Sequence, residues 1–179
     1  RIYKNLQSEG GIPLAFYIQR VEKQGWLYYN TSEPPNSYGG VKMIGFVCGV
    51  KGSGKTKKMV EMANAIVRDA LGKVVFVDDN TRHMFDLKHS IRLVTTDDFA
   101  LNNHDAIYGF LAGLIAGDFD IHTIFVDSFL RMTNSTVQEI EPLVKRLESL
   151  MEQNNVRLIL SISADIKDVP DYIKEKAID

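Results

Sequence analysis

"MIGFVCGVKGSGKT", residues 43–56, is an apolar run that enters a glycine-rich turn and closes on Lys-Thr. Its second part, GVKGSGKT at residues 49–56, matches the pattern G-x-x-x-x-G-K-[ST] at every fixed position: Gly49, Gly54, Lys55 and Thr56. The apolar run predicts a buried strand, and the residues after Thr56 predict an amphipathic helix. The turn therefore lies where a strand feeds a helix. Glycines there let successive backbone N–H groups face inward, and the helix N-terminus adds partial positive charge, which suits phosphate. Gly49, Gly52, Ser53, Gly54, Lys55 and Thr56 are the candidate binding residues. Lys55 can bridge two phosphates. The Thr56 hydroxyl can bind Mg²⁺, which keeps several of its waters and takes few protein oxygens. Lys51, Lys57 and Lys58 read as solvated lysines.

Working outward, apolar runs alternate with helical patterns. "KVVFVDD" (73–79), "IRLVTT" (91–96), "HTIFVDS" (122–128) and "VRLILSIS" (156–163) follow "MIGFVCG" as strands. Five buried strands separated by helices predict an α/β fold: a three-layer parallel sheet of about five strands with flanking helices. Met59, Met62, Ala63, Ile66, Val67 and Ala70 repeat at helical spacing before Gly72, which suits a left-handed C-terminal cap. A second helix is expected over about 103–116, where Gly109 and Gly113 lie one turn apart and favour close packing. A third is expected to begin near Glu139, with Pro142 in its first turn.

A metal-bound phosphate needs an acid nearby. "TIFVDS" ends in Asp127, at the C-terminal edge of a strand, where ligands gather in open α/β sheets. Asp127 and Thr56 are the candidate metal residues.

Residues 1–42 differ from the rest. They contain Trp26, Tyr28 and Tyr29, show no strand-helix alternation, and end in "SEPPNSYGG". By charge they carry about +2, against about −4 for residues 43–179. The segment reads as a leader, a weak hairpin turning near Gly25, or a linker, with Met43 a candidate natural start of the domain 43–179. The whole chain has 179 residues, is 45% hydrophobic and 25% charged, and carries net charge −2. That fits a globular domain and offers no global basic field for nucleic acid. The single cysteine, Cys48, excludes a disulfide within one chain and fits a reducing compartment, so a cytoplasmic location is expected. No apolar stretch approaches the roughly 18–20 residues that span a bilayer.

Gly49, Gly54, Lys55 and Thr56, with the strands "VFVDDN", "IRLVTT", "IFVDSF" and "LILSIS" in that order, resemble the P-loop NTPase superfamily and within it the RecA-like branch. The chain is also similar to small bacterial P-loop proteins sometimes labelled twitching-motility ATPases. The acidic and histidine boxes of the large secretion and pilus motors are not found in it. The resemblance covers about residues 43–165. It implies ATP and Mg²⁺ as ligands, Asp127 as the Walker B acid, and a strand ending near Ser163 between the Walker B strand and the phosphate-loop strand.

One position departs from that pattern. A RecA-like enzyme places a water-orienting Glu near the end of its second strand, and Asn80 stands there, after Asp78 and Asp79. Asn cannot accept a proton. Asp79 or Asp78 could substitute, but an aspartate has a shorter reach by about an ångström, an error that can cost about 100-fold in rate. Ser128, not Glu, follows Asp127. The expected function is a slow or partner-activated ATPase using Lys55, Asp79 and Asp127, with self-association or a protein partner as the activator. The alternative is a nucleotide-dependent switch with little hydrolysis of its own. Ser161 and Ser163 are candidate γ-phosphate sensors or backbone-bonded serines. Arg82 and Arg131 are candidates for a neighbour's site or for surface ion pairs. A small-molecule kinase ranks lower because no arginine-rich lid is evident, and a nucleic-acid motor ranks lower because residues 43–179 carry about −4. GTP recognition ranks lower still, since "SISAD" lacks Asn-Lys-x-Asp. His83, His89, His104 and His122 lack metal-ligand spacing.

Overall fold

The computed structural model describes residues 43–99 and 101–178. The leader, hairpin or linker reading of residues 1–42, and with it the boundary near Met43, lies outside them. Among the described residues the order is β1 (Ile44–Cys48), α1 (Lys55–Ile66), β2 (Lys73–Asp78), β3 (Ile91–Thr95) and α2 (His104–Gly117). β4 (Ile121–Val126), α3 (Phe129–Thr133), α4 (Glu141–Asn154), β5 (Arg157–Ile162) and α5 (Asp171–Lys174) follow.

The five strands pair in parallel in the order β1-β5-β4-β2-β3. The expected α/β class and five-stranded parallel sheet are thus present. β5 lies between β1 and β4. Parallel strands need covered faces, and the β2 sequence shows how both are covered. Successive strand side chains point to opposite faces. Val75 and Val77 join Leu111 of α2 and Leu147 of α4 in one core, whereas Val74 and Phe76 join Met59 and Ala63 of α1 in another. Helices therefore pack on both faces of the sheet. The outer edge of β1 is also engaged: the Phe46 N–H donates to the Lys176 carbonyl (3.0 Å), and the Ile178 N–H donates to the Phe46 carbonyl (2.8 Å).

Two local expectations change. α1 ends at Ile66, and its cap residue Val67 stays right-handed, so Gly72 is not the helix cap. Gly72 instead lies where a Cβ would run into the Asp120 carbonyl, a close approach that only glycine permits. Gly109 and Gly113 were expected to admit a neighbouring element, yet nothing lies near either, and α2 buries Ile107, Leu111 and Ile115 instead. A missing side chain signals that contact is allowed, not that it occurs. The α4 helix starts at Glu141 with Pro142 in its first turn, where its missing N–H would have had no helical partner.

Candidate functional site

The chain from β1 to α1 makes a tight cradle because its glycines adopt what other residues avoid. Gly52 (φ 83°) and Gly54 (φ 85°) are left-handed, and Gly54 is the N-cap of α1. A Cβ at Gly49 would collide with the Ser53 hydroxyl. The Gly49 N–H donates to the Ile162 carbonyl (3.2 Å), which ties the start of the loop to β5. The Ser53 N–H donates to the Val50 carbonyl (3.1 Å), which closes the turn. Lys55 folds back over its own loop, its Nζ donating to the carbonyls of Gly49 (2.9 Å) and Val50 (3.0 Å). Partial burial holds the Lys55 ammonium below the usual lysine range, opposed by the charge of Asp127.

Asp127 is buried directly after β4 and faces this loop. The Thr56 hydroxyl donates to its Oδ2 at 2.6 Å across 71 residues of sequence. Its Oδ1 accepts the Ser128 N–H (2.8 Å) and the Ser161 hydroxyl. Ser161, buried in β5, also accepts the Ser128 N–H (2.8 Å). Ser161 is thus bound to the carboxylate that orients toward Thr56, whereas Ser163 is exposed beyond the strand end. The sheet order matters here, because β5 can present Ser161 to Asp127 only as the neighbour of β4.

On the other side of β4, the register pairs Val77 with Val126, which sets Asp78 alongside Asp127. Asp78 is buried, and burial first, then the neighbouring Asp127 charge, pushes its carboxyl up to about 6. Its Oδ1 accepts the Asp79 N–H (2.7 Å). Asp79 is partly exposed, and both of its carboxylate oxygens are engaged. Asn80 Nδ2 donates to its Oδ1 (2.6 Å), and Arg131 forms an ion pair with its Oδ2. Arg131 Nη2 also donates to the Ser128 hydroxyl (3.0 Å). Ser128 itself has φ 55°, uncommon for a residue with a side chain and the kind of local strain that clusters at functional sites.

The structure therefore brings Lys55, Thr56, Asp127, Ser128 and Ser161 together, with Asp78, Asp79, Asn80 and Arg131 beside them. Other candidates stand apart. Lys57 pairs loosely with Glu61 (4.0 Å), Lys58 donates to the Ile178 carbonyl (2.9 Å), and Arg82 is exposed. His83 contacts Asp86 (3.0 Å), His104 contacts Ser135 (2.9 Å) and His122 contacts Thr123 (2.8 Å). Among the described residues no group of three or more His, Cys, Asp or Glu side chains could hold a metal. Thr56 and Asp127, the two residues expected at a metal, meet as one hydroxyl and one carboxylate joined by their hydrogen bond. A groove of about 430 Å³ between α1 and the 79–90 loop, lined by Lys57, Val60, Glu61, Asn64, His83 and Asp86, shares none of these site residues. Among the described residues no helix is long and apolar enough to cross a membrane.

Arg131 makes the surface ion pair that was one of its two readings, but sequence reading did not name Asp79 as its partner. The signal for that pairing was the spacing of Arg131 one helical turn past Asp127, which becomes informative only once Ser128 is known to turn the chain. Comparison with protein-family models returns no match for this chain, and comparison with curated proteins returns none.

Proposed function

We propose that the chain is a Mg-ATP-binding P-loop NTPase of RecA-like architecture, acting as a slow ATPase. The observation that carries this reading is the Thr56–Asp127 hydrogen bond of 2.6 Å at the mouth of a glycine cradle whose lysine lies across it. Hydroxyl, carboxylate and ammonium converge at the C-terminal ends of β1 and β4, where open α/β sheets bind ligands. The order β1-β5-β4-β2 also supports it, since the strand between the Asp127 strand and the loop strand is the one the resemblance implies.

In this reading backbone N–H groups of the loop and of the first turn of α1 hold the β-phosphate. Lys55 exchanges its two loop carbonyls for β- and γ-phosphate oxygens. Thr56 and Asp127 would hold Mg²⁺, which would supply charge neutralisation at the phosphates. Ser161 keeps Asp127 in its rotamer. A water oxygen attacks the γ-phosphorus in line, the bond to the bridging oxygen breaks, and ADP departs. Asp79 orients that water and takes its proton.

A second reading, a nucleotide-dependent switch with little hydrolysis, is favoured by one observation: both Asp79 oxygens are engaged, by Asn80 and Arg131. Phosphate release by the full chain under Mg-ATP, alone and at concentrations that favour self-association, separates the two. Turnover that Asp79→Ala lowers by about 100-fold supports the ATPase, in line with losing a positioned base. Mg-ATP binding without any Asp79-dependent turnover leaves the switch.

A further inference from the structure

The residues around Asp127 form a continuous polar chain: Thr56 to Asp127, Asp127 to the Ser128 N–H, the Ser128 hydroxyl to Arg131, and Arg131 to Asp79. It links the phosphate loop to the candidate base across the C-terminal ends of β1, β4 and β2. From this chain we infer that Arg131 is a triphosphate-sensing residue that exchanges partners: it holds Asp79 until a γ-phosphate arrives, then turns to that phosphate and releases Asp79 to the attacking water. The inference rests on the proposed nucleotide site and adds its regulation in the same subunit.

Energetics favour such an exchange. The Arg131 side chain is 67% exposed and that of Asp79 is 23% exposed, so the pair sits at the surface. Exposed pairs of this kind contribute at most about 1 kcal/mol and are readily broken. A guanidinium gains more from a γ-phosphate, whose several oxygens accept its planar fork and whose charge exceeds that of a carboxylate. Ser128 supplies the pivot. Its left-handed backbone turns the chain sharply between β4 and α3, and its hydroxyl holds Arg131 beside the strand end. A diphosphate lacks the competing group, so it leaves Asp79 held.

Equilibrium binding to the full chain tests the exchange without relying on turnover. Calorimetry with Mg²⁺ and either ADP or a non-hydrolysable β,γ-imido ATP analogue is compared for wild type, Arg131→Ala, Asp79→Asn and the double variant, with Lys55→Ala as the site control. Arg131→Ala is expected to weaken the triphosphate analogue by about tenfold, the worth of one charge-assisted hydrogen bond, and ADP by less than about twofold. Asp79→Asn, which frees Arg131, is expected to tighten the triphosphate analogue by about two- to fivefold, and to change nothing once Arg131 is absent. An Arg131→Ala variant that weakens both ligands equally overturns the exchange, as does Asp79→Asn that fails to tighten the triphosphate. Wild type that binds neither ligand defeats the nucleotide site itself. Lys55-dependent binding with no Arg131 effect defeats the exchange alone.

Discussion

Gly54 shows how one residue sets the geometry of the loop. Its φ of 85° opens onto free space, so an added methyl meets no atom and the penalty is that of the backbone alone. Gly54→Ala is expected to cost about 1–2 kcal/mol, read as a lower urea midpoint, and an unchanged midpoint would contradict the left-handed cap. The burial of His122 gives it a pH dependence with a definite expected sign. Burial first, then the Arg157 charge, holds its imidazole below the ordinary value. Above that value both folded and unfolded chains carry it neutral, and its contribution to stability is fully present. As pH falls through that value the unfolded chain takes up the proton first, so stability is lost until the folded imidazole also protonates. His122→Gln is expected to flatten the acid-side fall of the thermal midpoint that starts near pH 6.5. An unaltered pH profile would show that His122 is as accessible to protons folded as unfolded. At this scale Gly49, Gly54, Lys55, Thr56 and Asp127 were legible, because a strand-turn-helix motif and a strand-ending acid are local patterns. The Asp79–Arg131 pair was not, because it depends on the Ser128 backbone, and a serine gives no local sign that it will be left-handed.

Among the elements, the strands were read closely, since short apolar runs rich in β-branched residues leave little choice of period. Helix ends and helix glycines were harder. The repeat running on to Ala70 suggested a longer α1, but the ordered helix stops at Ile66 and the chain then turns toward β2. Gly109 and Gly113 looked like contact points and face open space. That correction is testable. Alanine at each should add helix propensity without a clash, raising stability by about 0.5–1 kcal/mol per site in chemical unfolding. Loss of stability in either variant would mean that the α2 glycines do admit a neighbour. The short helix α3 carried no pattern long enough to read, yet it places Arg131.

Across the whole molecule, the parallel sheet converts separate sequence signals into one site. Thr56 follows β1 and Asp127 follows β4, and the order β1-β5-β4-β2-β3 gathers their ends with Ser161 and Asp78 along one edge. That convergence predicts a ligand with phosphate groups and a divalent ion. The most direct test is calorimetric titration of ATP into the folded full chain, with Mg²⁺ and with chelator, for wild type and Lys55→Ala. Saturable, Mg²⁺-dependent binding that Lys55→Ala weakens by about ten- to 100-fold is the expected result, matching the loss of one or two charge-assisted hydrogen bonds. No binding by folded wild type, or equal binding by Lys55→Ala, would contradict it.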